Sequence, residues 1–255
     1  MIQFDKIRKI YPKQVGSQAH IALQDVSFSL EKGKTLGLVG ANGAGKSTSI
    51  CLLMDFIRPD HGTIRVFGKQ PHDPGVRLKI GYLPEKTGFS PNMSILDMLQ
   101  FIGRTCRMSK SDIVAAGEKW LRRLNLWEFR KRLLRNYSKG MQQRASFAIA
   151  MIHDPDLLIL DEPMSGLDPI GRADIIGLIK ELKEKGKTIL FCSHLLEDVD
   201  RLVDDVLILH KGRNLFNGPP SVICQQMGCD DFEDAFLSLI NQEENHVEEN
   251  YAFSD

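Results

Sequence analysis

One nine-residue string, GANGAGKST at positions 40–48, constrains this chain more than any other feature. Gly40, Gly45, Lys46 and Ser47 fit the pattern G-x-x-x-x-G-K-[ST], between the strand-like run TLGLVG and the helix-like run SICLLMDFI. That is the context a phosphate-cradling loop requires, so the string predicts a nucleoside triphosphate site. Gly40, Gly43 and Gly45 allow backbone angles closed to residues with a Cβ, which lets successive N–H groups converge on one anion. A helix opening near Lys46 aims its unpaired N–H groups and positive dipole end at the phosphates. Lys46 supplies a mobile cation for the β and γ phosphates, Ser47 a hydroxyl ligand for Mg2+, and Thr48 a contact to the α or β phosphate. The pattern alone leaves open a flexible glycine-rich loop before a helix.

With 255 residues, 42% apolar and 26% charged, the chain can bury a full core, which excludes disordered and fibrous classes and fits one elaborated α/β domain. Basic and acidic residues balance at 33 each, so no global positive field draws the chain to nucleic acid or an acidic membrane surface. Nucleic acid is not expected as a partner. Cys51, Cys106, Cys192, Cys224 and Cys229 are odd in number and scattered, the pattern of reduced thiols in a cytosolic protein. Cys224 and Cys229 are the nearest pair, with no neighbouring Cys or His to complete a metal site. The N-terminal MIQFDKIRKIYPK interrupts its apolar positions with charges and offers no signal-peptide core. No stretch approaches the roughly 18 unbroken apolar residues of a bilayer span, so a membrane role has to come through a partner.

Along the chain, residues 2–10 and 21–30 read as strands, the second alternating through LQDVSFSL before a turn at Glu31, Lys32 and Gly33. GTIRVFG at 62–68 and KIGYLPE at 79–85 read as two more, the first after the turn signal Asp60, His61, Gly62. From 94 to 134 apolar residues recur at helical spacing, Ile95, Met98, Leu99 and Ile102, then Trp120, Leu121, Leu124 and Trp127, which predicts a helical insert. Strands at 156–160, 188–192 and 206–210 then alternate with helical runs at 141–153, 171–185 and 195–203, the order of a parallel α/β sheet. Residues 241–255 carry several acids and few apolar positions, which predicts a disordered, solvated tail. His246 in that tail has no partner at metal spacing.

Three further constellations carry chemistry. DLLILDEP at 156–163 ends a buried strand in two carboxylates, aimed into the ligand crevice of an open α/β sheet. Asp161 there would complete a Mg2+ shell and Glu162 would orient or deprotonate an attacking water; alone, the pair equally suits a solvated turn before Pro163. SGLD at 165–168 precedes His194, which directly follows another buried strand and can donate to a γ-phosphate oxygen or serve as a structural cap. YSKGMQQR at 137–144 opens a helix, where Ser138 and the Gly140 N–H can bind an anion or Ser138 can simply cap.

In this order, the strings resemble the ATP-binding subunit of an ABC transporter. GANGAGKST is similar to the family's Walker A motif, YSKGMQ to its signature motif, LLILDE to Walker B with its catalytic glutamate, SGLD to the D-loop and His194 to the switch histidine. The likeness covers about residues 2–220. It implies a P-loop NTPase (RecA-like) α/β core with a parallel sheet, an N-terminal antiparallel β subdomain, a helical subdomain inserted at about 87–150 and a C-terminal helical extension at 221–240. It also implies ATP and Mg2+ as cofactors. Nucleotide contacts then fall to Asn42, Gly43, Ala44, Gly45, Lys46, Ser47, Thr48, Glu85, Ser138, Gly140 and Asp168, metal contacts to Ser47, Asp161 and Glu85, and catalysis to Glu162, His194 and Lys46. Tyr11 stands where the family places the aromatic that stacks on adenine, or is an ordinary strand-end tyrosine.

Two departures qualify the likeness. Glu85 stands where the family usually has the Q-loop glutamine and brings an extra negative charge, while Lys139 and Met141 replace a usual Gly and Gln of the signature. Both variants resemble ABC-2-type exporters, as does DDFEDAFLSLI at 230–240, whose Phe232, Ala235, Phe236, Leu239 and Ile240 share one helical face. The family's mechanism implies two such subunits, a homodimer or heterodimer, sandwiching ATP between Walker A of one and the signature of the other. It implies a chain peripheral to the cytoplasmic face of the membrane, driving a separate transmembrane permease. Phe89 and Met93 would contact that permease or pack in the core. A soluble single-cassette ATPase of this family powering a non-transport assembly machine is the alternative. A GTPase would require an N-K-x-D element, which the chain lacks, and neither a GTPase nor a P-loop kinase explains YSKGMQQR.

Overall fold

The computed structural model describes residues 1–12, 19–86, 88 and 90–252, with side chains described through residue 245. Phe89 and the His246 side chain thus lie outside the described residues. In chain order the first half holds β1 (Ile2–Tyr11), β2 (His20–Leu30), β3 (Thr35–Val39), α1 (Lys46–Leu53), β4 (His61–Val66), α2 (Pro74–Arg77), β5 (Ile80–Leu83), α3 (Ile95–Thr105) and α4 (Lys110–Arg123). The second half holds α5 (Lys139–Met151), β6 (Leu157–Asp161), α6 (Pro169–Glu184), β7 (Thr188–Cys192), α7 (Leu196–Leu202), β8 (Asp205–His210), β9 (Arg213–Gly218), α8 (Pro220–Met227) and α9 (Phe232–Ala252). Two compact units emerge, one of Met1, Glu31–Lys34 and Val66–Cys192, the other of Ile2–Leu30, Thr35–Arg65 and Ser193–Asp255.

The first unit is built on the parallel strands β5, β6 and β7, with Ile80 opposite Leu157 and Leu157 opposite Thr188. Every residue of β6 and β7 is buried, the continuous apolar run of a strand covered on both faces. The predicted helical insert resolves into α3 and α4, followed by two 3-10 turns at Trp127–Phe129 and Leu134–Asn136. Helix α3 begins where it does because Ser94 and Asp97 form a capping box, each side chain accepting the other's backbone N–H. Its Ile95 and Leu99 are buried, as are Trp120, Leu121 and Leu124 of the second periodic run. Helix α5 lacks a polar face over most of its length and sinks Ala145, Phe147, Ala148, Ala150 and Met151 into the core.

In the second unit β1 pairs antiparallel with β2 and has β4 on its other edge; Phe4 and Phe28 stack at 4.4 Å across the pair. Strand β3 pairs parallel with β8, and β8 antiparallel with β9. Strand β9 escapes the sequence reading, because RNLFNG has no fully buried position to produce an alternation, whereas α8 falls within the helical extension expected at 221–240. The expected tail also differs. Helix α9 runs on to Ala252, so residues 241–252 are helical rather than disordered: after Gly228 no glycine or proline interrupts the chain, and Glu244 finds Lys211 at 3.5 Å.

Gly81 in β5 shows how tightly the first unit is packed. A Cβ there would fall against the Ala150 carbonyl oxygen and within 2.7 Å of Pro155 Cγ. Backbone cannot yield as a side chain can. Gly81→Ala is therefore expected to destabilise the protein by about 1–3 kcal/mol, seen in thermal unfolding as a Tm lower by roughly 2–10 °C.

Candidate functional site

The string 40–48 folds as the sequence predicts a loop-to-helix joint must. Gly45 sits at φ 111° as the N-cap of α1, and a Cβ on it would lie 2.6 Å from Leu23 Cδ2 and 2.8 Å from the Ala22 carbonyl oxygen. Only glycine fits there. The turn is closed by Ala44 N–H donating to Ala41 O at 3.1 Å and is held from behind by Gly212 N–H donating to Ala44 O at 3.1 Å. Gly40 is pressed against the Leu209 carbonyl oxygen, leaving no room for a Cβ. The Lys46 ammonium folds back over the turn onto the Gly40 and Ala41 carbonyls, at 2.5 and 3.1 Å. Two of its three donors are thus engaged, and the ammonium stands over the loop with one more to offer. Ser47 and Asn42 are exposed and Thr48 half-buried, while Ser49 is buried and donates to Gly45 O at 3.0 Å.

Tyr11 ends β1 opposite His20 and is 38% exposed. The strand end is fixed by Asp60, whose carboxylate accepts the Ile10 N–H at 2.6 Å and the Lys9 ammonium at 3.1 Å. The Ile10 N–H first, and Lys9 second, hold the Asp60 carboxyl below its ordinary range.

In the other unit, Asp161 closes β6 opposite Cys192 and is nearly buried. Glu162 follows at φ 50°, a left-handed conformation that costs a residue with a Cβ on the order of 1 kcal/mol or more. The turn is held firmly. Glu162 N–H donates to Cys192 O at 2.9 Å, and its carbonyl accepts from Ser165 N–H at 3.1 Å. The sequence reading missed a third support, Gln143. Its side chain is 4% exposed, and its amide nitrogen donates to the carbonyls of Pro163 at 2.8 Å and Glu162 at 3.3 Å. Flanked by Gln142 and Arg144, Gln143 gave no signal that it alone would be buried. Ser138 is the N-cap of α5, accepting Met141 N–H at 3.2 Å, and Asp168 is the N-cap of α6, accepting Gly171 N–H at 2.7 Å. Ser138, Gly140, Gly166 and Asp168 line one cleft of about 320 Å3 at the start of α5, so the signature-like and D-loop-like strings meet there. Glu85 is exposed just beyond β5, and His194 is exposed just beyond β7, where Ser193 Oγ accepts the Leu195 N–H at 3.1 Å.

Gln143→Leu removes the donor while keeping the bulk, freeing a strained turn. Turnover by the full chain is expected to fall about tenfold or more with ATP affinity unchanged; steady-state kinetics beside equilibrium nucleotide binding would check it.

Residues 23–165 match the ABC transporter family. The chain is 35% identical over 224 residues to the ABC transporter ATP-binding protein NatA of Bacillus subtilis, covering 86% of this chain and 90% of that protein. It is 33% identical over 233 residues to the Nod factor export ATP-binding protein I of Cupriavidus metallidurans, covering 90% and 75%. Among solved structures, the ATP-binding subunit of an ABC transporter superposes with TM-score 0.86 at 27% identity, covering 94% of this chain and 99% of that one. A dimeric ATP-binding cassette in a post-hydrolysis state bound to ADP and Pi shares the fold, with TM-score 0.78 at 22% identity over 86% and 98%. The phosphate-loop geometry, the α/β architecture and these likenesses converge: the chain belongs to the ABC transporter family as one of its ATP-binding proteins, an ABC ATPase with a P-loop NTPase fold.

Proposed function

We propose that this chain hydrolyses ATP in a pair of ATP-binding subunits and so drives export through a separate transmembrane permease. The observation that carries the reading is the joint at 45–46, where a glycine turn, an open helix N-terminus and a lysine ammonium face the same loop. Those groups fit a triphosphate. The N–H groups opening α1 hold the β and γ phosphates, Lys46 adds its charge, Asn42 to Thr48 line the cradle, and Tyr11 stacks on the base. The donor set also fits a hard cation, since the Ser47 hydroxyl and the Asp161 carboxylate are the oxygen ligands Mg2+ prefers. Ser47 and Asp161 would hold the cation together with phosphate oxygens and water. Magnesium, when bound, supplies charge neutralisation on the terminal phosphate.

Glu162 takes the proton of the attacking water, its backbone fixed by Cys192, Ser165 and Gln143, and His194 donates to the γ phosphate. Glu85 orients water or metal from the loop after β5. The exposed Ser138 and the Gly140 N–H, at the N-terminus of α5, complete the γ-phosphate site of a second subunit, with Asp168 beside them. Loss of the γ phosphate removes that shared ligand and loosens the pair. The export direction draws on the named Nod factor exporter. No helix among the described residues is long and apolar enough to cross a membrane, so the pathway belongs to the permease, on whose cytoplasmic side the chain docks.

Glu162→Gln is expected to leave ATP binding intact, slow hydrolysis by about 100-fold or more and trap an ATP-bound dimer, read by phosphate release and light scattering. Wild-type turnover in that variant would remove Glu162 from the role of base. Lys46→Ala is expected to weaken ATP binding by on the order of 3 kcal/mol, over a hundredfold, in calorimetric titration.

A further inference from the structure

Helix α8 ends in a left-handed glycine, Gly228 at φ 67°, with two backbone bonds returning into the helix. Gly228 N–H donates to Gln225 O at 3.3 Å and Cys229 N–H to Cys224 O at 3.0 Å. This is a Schellman closure, in which side chains of the residue after the left-handed position and the residue five before it frequently meet. Here both are cysteines. With standard bond lengths, the 3.0 Å hydrogen bond keeps their Cα atoms no more than about 7 Å apart, the outer limit for a disulfide. Both thiols are free and half-exposed, whereas Cys192 is buried.

We propose that Cys224 and Cys229 form an intramolecular disulfide by exchange with a small disulfide of the glutathione class, clamping the elbow between α8 and α9. The Cys229 thiolate attacks one sulfur of the small disulfide, giving a mixed disulfide and releasing one small thiolate. The Cys224 thiolate then attacks the Cys229 sulfur and expels the second. Two protein thiols and one disulfide thus become one protein disulfide and two small thiols, with no electron unaccounted for. Burial first, and then Asp200, Cys229 and Asp231, push the Cys224 thiol up. Its Sγ lies 3.7 Å from Ser238 Oγ on α9. The elbow matters because α9 carries Glu244 to Lys211, in the turn that braces the phosphate loop through Gly212.

No Lys or Arg follows Arg213, so one tryptic peptide carries both cysteines and none of the other three. The full-length protein would be equilibrated across ratios of oxidised to reduced glutathione, trapped with iodoacetamide, digested and weighed. The expected result is a peptide lighter by two hydrogens and free of label, at ratios where Cys51, Cys106 and Cys192 are still alkylated. In Cys224→Ser the glutathione adduct at Cys229 should accumulate about tenfold or more above wild type, because the tethered resolving thiol is gone. A wild-type adduct at Cys229 that persists without internal closure, closure no easier than oxidation of the other three, or linkage only between chains would overturn the proposal. The readout is independent of nucleotide binding.

Discussion

The backbone turn at 40–45 is braced from behind, and the rest of the nucleotide chemistry depends on that brace. The β8–β9 turn supplies it. Gly212 N–H holds the Ala44 carbonyl, Gly212 O accepts the Gln24 N–H at 2.7 Å, and the Leu209 carbonyl fills the space a Cβ on Gly40 would need. Carbonyls are thereby occupied inward, and the amides that open α1 are left facing out, where an anion finds them. A loop free to relax would bury those donors against its own oxygens, and the lysine alone would be a weak phosphate ligand. The same turn receives α9 through Glu244, with Lys211 at 3.5 Å and the His210 imidazole at 3.8 Å. C-terminal helix and phosphate loop thus share one support.

Helix α5 plays a comparable part in the other unit. Its start leaves Ser138 exposed and Gly140 half-buried, while one turn further in Gln143 is buried and holds the turn that carries Glu162. A single helix therefore ties Ser138, proposed to meet a second subunit, to the turn of the carboxylate proposed for hydrolysis. Glu162 keeps a left-handed backbone because three bonds over-determine it, and such strain is retained where a side chain must point in one direction. The capping bonds of Ser138 and Asp168 do not compete with these roles. Each uses one lone pair of an oxygen that has another to offer.

The phosphate string, the paired carboxylates closing a buried strand, the helical insert and the order of the parallel strands could all be read from residues in sequence, since each rests on local pattern: dihedral freedom at Gly45, two-sided burial of LLILD, 3.6-residue spacing through Ile95 and Leu99. Strand β9 and the continuation of α9 could not. Their residues are half-exposed, and what orders them is contact with distant chain, Val206 to Gly218 across a ladder and Glu244 on Lys211. Gln143 hid for the same reason: it sits between Gln142 and Arg144, and the partner that buries it lies 20 residues away. Likewise the sequence reading took Cys224 and Cys229 as reduced thiols without a metal partner, because the left-handed turn that brings their backbones together is a property of the folded chain. Composition and spacing determined that a triphosphate loop would sit between a strand and a helix, because those requirements are met within a dozen residues. Which carbonyls brace that loop, and which amide steadies Glu162, only the tertiary structure decided, because hydrogen bonds between remote segments leave no periodic trace in the chain.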